Sequence, residues 1–190
     1  MKQKILDISK KHKLSHIGSC ITAVDIIDLI YELKKPGEKF VLSSGHAHLA
    51  HLVAMEKHKS ITDIERALIK YGIHCDRRAG CDCSTGSLGQ GVCVALGMAL
   101  ANRSKSVWVL TSDGEMEEGS CWEALKIKAD LKVDNLKWFI NANGFGAYKT
   151  ININLLEKRV RAFCKDVRVV RTNYKEYPFL EGISAHYLIL

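Results

Sequence analysis

Thr111-Ser112-Asp113-Gly114-Glu115 closes one apolar run, and Asn141-Ala142-Asn143-Gly144 closes the next. Asn143 follows Asp113 by thirty positions, and between them Glu118-Gly119-Ser120-Cys121-Trp122-Glu123-Ala124-Leu125 reads as a helix. The unit is strand, acidic turn, helix, strand, amide turn. In a parallel sheet both turns open at the carboxyl ends of the strands, where ligands bind. One carboxylate and one amide oxygen are thereby aimed at a common point. Hard oxygen donors of this kind suit Mg²⁺ or Ca²⁺, and Mg²⁺ completes its shell with water and phosphate oxygens. The expected ligand is a metal-bound diphosphate.

Outward from this unit, the strand-like runs Phe40–Leu42, Val107–Leu110, Leu136–Ile140 and Val167–Val170 are continuous rather than alternating, as buried parallel strands are. A further strand is expected over His186–Leu190. Helices are expected over Lys4–Lys13; from a cap at Ser19 or Thr22 to Lys35, where Pro36-Gly37 ends it; over Ala47–Lys57; from a Thr62 cap to Tyr71; over Val92–Arg103; and over Leu155–Phe163. Gly72–Cys83 reads as an irregular loop. Strands alternating with helices give an α/β fold, a parallel sheet flanked by helices. No repeat or low-complexity linker interrupts residues 1–190, which read as one domain.

The formal charge of +7 comes from lysines and arginines spread along the chain, without a basic stripe or stacking platform. Nucleic acid is not an expected partner. The apolar runs are too short to span a bilayer, and Met1 leads into Lys-Gln-Lys without a signal-peptide core. A cytoplasmic location is expected. In that setting the seven cysteines read as reduced thiols, not a disulfide framework. Cys75, Cys81 and Cys83 follow His74 closely, but they lack the Cys-x-x-Cys pairing of structural zinc modules.

Ser-Asp-Gly at 112–114, Glu-Gly-Ser-Cys-Trp-Glu-Ala at 118–124 and Asn-Ala-Asn-Gly at 141–144 resemble the thiamine diphosphate signature of transketolases. Ser84-Thr85-Gly86-Ser87-Leu88-Gly89-Gln90-Gly91 is a second, more specific hallmark. Ser15-His16-Ile17-Gly18-Ser19 and Ser44-Gly45-His46-Ala47 are similar to that family's two early histidine motifs. The four motifs occur in family order over most of the chain. The resemblance implies a thiamine-diphosphate-binding fold with Asp113, Asn143 and the backbone carbonyl of Phe145 as Mg²⁺ ligands, Ca²⁺ being the other candidate. It implies cofactor contacts from His46, Gly86, Ser87, Leu88, Asp113, Gly114, Glu115 and Asn143. His16, His46 and His74 match positions lining the active-site funnel, where they assist proton transfers, although Gly72-Ile73-His74-Cys75 is a looser match. Glu118 matches a glutamate of the acidic network between the family's cofactor sites. His186 is a candidate for a later family histidine. Ser112 stands where the family usually has Gly, and Ala142 where a polar residue is common; neither position supplies a metal-ligand side chain there.

Family members combine a diphosphate domain with pyrimidine and C-terminal domains, and only motifs of the first are found here. The glutamate that activates the cofactor belongs to the pyrimidine domain. The resemblance therefore implies a split transketolase, with a second subunit carrying the other domains in an α2β2 assembly that acts on sugar phosphates. Another thiamine-diphosphate-dependent lyase or synthase subunit and a non-catalytic scaffold of the same fold remain open.

Overall fold

The computed structural model describes residues 1–190. Four strands, β1 (Lys39–Leu42), β2 (Val107–Ser112), β3 (Leu136–Ala142) and β4 (Arg168–Arg171), form one sheet in the order β1-β2-β3-β4, every pair parallel. Seven helices accompany it: α1 (Lys2–His12), α2 (Ile17–Leu33), α3 (His48–Lys57), α4 (Ile64–Tyr71), α5 (Gln90–Ala101), α6 (Gly119–Asp130) and α7 (Ile153–Phe163).

Strands β1, β2 and β3 lack alternation because both faces of the sheet are covered there, whereas the edge strand β4 is only half-buried or exposed. Phe40, Leu42, Leu110 and Phe139 join the core made with α1 to α4. Val41, Val107, Val109, Trp138 and Ile140 join a second core with α5 to α7. Each such side chain, fully buried, contributes about 1.5–3 kcal/mol relative to exposure. No helix is long and apolar enough to cross a membrane.

Three local expectations are corrected. Helix α2 begins at Ile17, not at a Ser19 or Thr22 cap. The Thr22 hydroxyl bonds back to the Gly18 carbonyl (2.9 Å) and lies within the helix. Helix α4 is capped by Asp63, whose carboxylate accepts the Arg66 N–H, instead of by Thr62. The expected strand at His186–Leu190 is absent, and Ile183–His186 forms a 3-10 turn. That segment pairs with the start of α2 instead of the sheet, the His16 N–H donating to the His186 carbonyl at 3.2 Å.

Of the small residues in α5, Ala95 and Ala99 are buried in the chain's own core. Cys93, Val94, Gly97 and Ala101 form its exposed apolar side.

Candidate cofactor and active site

Every strand runs the same way, so the turns after β1, β2 and β3 meet at one edge of the sheet. Asp113 follows β2, its N–H donating to the Asn141 carbonyl at 2.9 Å. Its carboxylate accepts N–H groups from Gly114 (3.0 Å) and from Gly144 in the next turn (2.6 Å). The second bond locks the acidic turn to the amide turn. A Cβ on Gly114 would lie 3.0 Å from the Gly146 Cα and 3.9 Å from the Phe145 carbonyl oxygen. A side chain there would push the two turns apart. Asn143 Oδ1 accepts the Phe145 N–H (2.9 Å), while its Nδ2 donates to Thr22 Oγ1 (3.3 Å).

Asp113 is fully buried. Desolvation pushes its carboxyl up to about 6, against the pull of backbone N–H groups, and no cationic side chain is among the groups acting on it. A buried carboxylate without a counter-ion, next to an amide oxygen and a backbone carbonyl, is the donor set that suits a hard cation. The residues present thus fit the metal that the sequence implies.

Facing these oxygens is a cluster of imidazoles. The His16 ring centroid lies 5.1 Å from that of His46, 6.4 Å from His74 and 4.4 Å from His186. His46 and His186 are 5.6 Å apart. Desolvation, reinforced by the neighbouring rings, lowers His16 to about 4 and His46 to about 3. Burial also lowers His74 and His186. Near pH 7 these rings are neutral, each with one donor and one acceptor nitrogen. His16 adopts a left-handed backbone conformation (φ 60°) at the start of α2. Such strain costs on the order of 1–3 kcal/mol and clusters at functional sites. Its Nδ1 is buried without a hydrogen-bond partner.

The glycine-rich loop reaches this edge through one close approach. A Cβ on Gly45 would sit 2.4 Å from the Thr85 carbonyl oxygen, so only glycine lets the Thr85–Leu88 segment lie against the His46 turn. A cleft of about 200 Å³ results. Of the expected residues, His16, His46, His74, Gly86, Leu88, Gly114, Asn143 and Phe145 line it, as does His186. Asp113 lies directly beneath, bonded to the backbone of the lining residue Gly114.

Three expected residues fall outside the cleft. Glu115, expected to contact cofactor, turns inward: its Oε1 accepts the Ser43 hydroxyl (2.6 Å) and the Gly89 N–H (2.8 Å). Burial pushes its carboxyl up to about 7. It ties the first, second and glycine-rich turns together. Ser87 is absent from the cleft lining. Glu118 is exposed at the start of α6, beside the backbone of Gly89.

The departure at Ser112 has a local explanation, since its hydroxyl accepts the Glu115 N–H (3.1 Å) and closes the turn. Sequence reasoning missed the support beneath the amides. Thr22 Oγ1 receives the Asn141 amide (3.0 Å) as well as that of Asn143, and the Thr172 hydroxyl donates to Asn141 Oδ1 (2.7 Å). The available signal was a threonine within an apolar helix that must pack against strand-end amides.

The arrangement defines a class: a parallel α/β domain with a ligand cleft at the carboxyl ends of its strands, oxygen donors on one side and neutral imidazoles on the other. Residues 5–176 match the family described as transketolase, thiamine diphosphate binding domain. The chain belongs to the transketolase family and carries its thiamine diphosphate binding domain. It is 34% identical over 153 residues to Transketolase-like protein 2 of Bos taurus, a match covering 69% of this chain and 24% of that protein. It is 30% identical over 175 residues to the 6-deoxy-6-sulfo-D-fructose transketolase subunit SqwG of Clostridium sp. (strain MSTE9), covering 79% of this chain and 64% of that one. The chain thus spans about a quarter of the first relative and just under two thirds of the second. The fold is shared with transketolase from Leishmania mexicana, with a TM-score of 0.69, 20% identity, and coverage of 88% of this chain and 34% of that one.

Proposed function

We propose that this chain is the diphosphate-binding subunit of a split transketolase, transferring a two-carbon ketol unit between sugar phosphates together with a second subunit. The observation that carries the reading is the buried, uncompensated Asp113 carboxylate, locked to the Asn143 turn and facing the imidazole cluster. Asp113, Asn143 Oδ1 and the Phe145 carbonyl would hold Mg²⁺, Ca²⁺ being a possible substitute. When bound, thiamine diphosphate supplies the carbanion chemistry of ketol transfer.

The chain's own residues bind, orient and move protons. Gly114 keeps the floor of the cleft free of a side chain where the diphosphate would lie. The backbone of Gly86 and Leu88 would support the ring system of the cofactor. His16, His46, His74 and His186, neutral near pH 7, would donate to and accept from the hydroxyl and carbonyl oxygens of the sugar, passing protons between them. The His16 Nδ1, buried without a partner, is a position for one such bond. Glu115 acts at one remove, tying the glycine-rich loop to the turns after β1 and β2, and the exposed Glu118 would join an acidic network between cofactor sites.

The cleft of about 200 Å³ falls below the roughly 300–1,000 Å³ of sites that enclose a whole ligand. That size suits a half-site covered by pyrimidine and C-terminal domains on another chain. The relative SqwG, itself named a transketolase subunit, supports this arrangement. The exposed apolar side of α5 and the Glu118 turn offer the packing surface for an α2β2 assembly. A cytoplasmic location is part of the same proposal.

Calorimetry on the assembled enzyme tests the metal assignment. Asp113→Ala should abolish Mg²⁺-dependent binding of thiamine diphosphate while leaving the circular dichroism of the chain unchanged. Undiminished affinity in that variant would sink the assignment.

A further inference from the structure

Beneath the cleft, on the α3 side, lies a second cluster that the proposed reaction leaves unused. His48 and His51 stand one turn apart on α3 and share a face. Cys75 and Cys81 bracket a short 3-10 turn, Arg77–Ala79, in the loop that follows α4. All four side chains are buried, His48 and His51 at 0% and 1% exposure. A His48 nitrogen and the two sulfurs lie within 4.8 Å of one another. The Cys81 Sγ is 3.6 Å from His48 Nε2 and 3.6 Å from His51 Nδ1, and the Cys75 Sγ is 3.8 Å from His51 Nδ1.

Those separations carry a geometric message. Tetrahedral zinc with Zn–S near 2.3 Å and Zn–N near 2.0–2.1 Å places its sulfur and nitrogen ligands about 3.6 Å apart. The three sulfur–nitrogen spacings, 3.6 to 3.8 Å, match that value.

The outward nitrogens are also prepared. His48 Nδ1 lies 3.2 Å from the Gly72 carbonyl, which only accepts. Its proton therefore sits on Nδ1, and a lone pair at Nε2 faces the sulfur. His51 Nε2 lies 2.9 Å from the Tyr31 hydroxyl. Ligand histidines characteristically anchor their second nitrogen in this way.

We propose that His48, His51, Cys75 and Cys81 bind one zinc ion, which pins the loop after α4 to α3. Binding replaces two thiol protons: Zn²⁺ enters, two protons leave, and two thiolates with two neutral imidazoles balance the charge of the buried ion. The loop concerned carries His74 and the Gly86–Leu88 segment of the cleft. The Cys75 N–H donates to the Gly45 carbonyl (3.3 Å), and the Cys75 carbonyl accepts the Thr85 N–H (3.1 Å). The ion would thus hold the cofactor loop in register with the His46 turn. Sequence spacing hid this centre because it set His74 beside the cysteines; His74 faces the cleft, while the two histidines that meet the sulfurs come from α3.

The test uses the full chain purified under reducing conditions, with metal measured by mass spectrometry and by Co²⁺ substitution. We expect about one zinc ion per chain, and with Co²⁺ the intense visible bands and sulfur charge transfer of a tetrahedral thiolate site. The oxygen donors near Asp113 cannot give that spectrum. Cys75→Ser and Cys81→Ser should each weaken the sulfur charge transfer and the double variant should lose it, whereas Cys83→Ser and Cys93→Ser should keep it in full. Tyr31→Phe, which removes only the hydroxyl behind His51, should weaken zinc binding roughly 10- to 100-fold. Reduced wild-type protein that takes up neither Zn²⁺ nor Co²⁺ would overturn the proposal. So would a Cys75–Cys81 disulfide persisting in the protein isolated without oxygen, or a thiolate spectrum surviving in the double cysteine variant.

Discussion

Four imidazoles crowd one end of the cleft, and burial lowers each of them, with neighbouring rings adding to the effect at His16 and His46. Their effect on stability has a definite sign. His46 is lowered from an ordinary value near 6.5 to about 3, so below pH 6.5 the unfolded chain takes up a proton that the folded chain refuses. The stability His46 contributes is present above pH 6.5 and is lost as pH falls toward 3. Asp113 and Glu115, raised by burial, act in the opposite sense, so the histidine contribution is isolated by comparison with His46→Gln. Between about pH 7.5 and about pH 5.5, urea titration should show the wild type losing on the order of 1 kcal/mol more than this variant. Equal losses would place His46 in water. For catalysis, replacing His16 or His46 by Ala should lower ketol transfer in the assembled enzyme by roughly 10²- to 10⁴-fold, with a far smaller change in unfolding midpoint. Wild-type turnover in both variants would return these rings to a packing role. Both histidines were legible in the sequence because each sits inside a short motif. The inward turn of Glu115 was not, because its partners, Ser43 and Gly89, are remote in sequence and meet only in the fold.

Elements were legible wherever hydrophobicity alone decides them. The four strands emerge from continuous apolar runs, and two-sided burial explains those of β1, β2 and β3. Boundaries failed where a polar side chain had a tertiary task. Thr22 looks like a helix cap, yet its hydroxyl serves as the acceptor for the Asn141 and Asn143 amides. The apolar tail His186–Leu190 has the composition of a strand, but His186 is tied through its backbone to the start of α2. Helix α2 therefore does more than cover the sheet, because it fixes the amides that terminate β3. Thr22→Val keeps the shape and removes the acceptor. It should cost about 1–3 kcal/mol in denaturant unfolding, since two buried amide donors lose their partner, and it should weaken Mg²⁺-dependent cofactor binding. Unchanged stability and affinity would show that the amides find other acceptors.

At the scale of the whole molecule, a single parallel sheet gathers three turns at one edge and the histidine-bearing start of α2 beside them. The order of the motifs along the chain made this edge foreseeable, since each motif follows a strand or opens a helix. The cleft's modest volume and the exposed apolar side of α5 could not be read from spacing. Ala95, Gly97 and Ala99 are alike in being small, yet the two alanines face the chain's own core while Gly97 is exposed. On the proposed function, this domain supplies half of a cofactor site that another chain completes. The direct measurement is ketol transfer between sugar phosphates, with saturating Mg²⁺ and thiamine diphosphate, by the purified chain alone and again after adding a subunit that carries the pyrimidine and C-terminal domains. No turnover is expected from the lone chain and turnover is expected on mixing; full activity from the lone chain would refute the split arrangement.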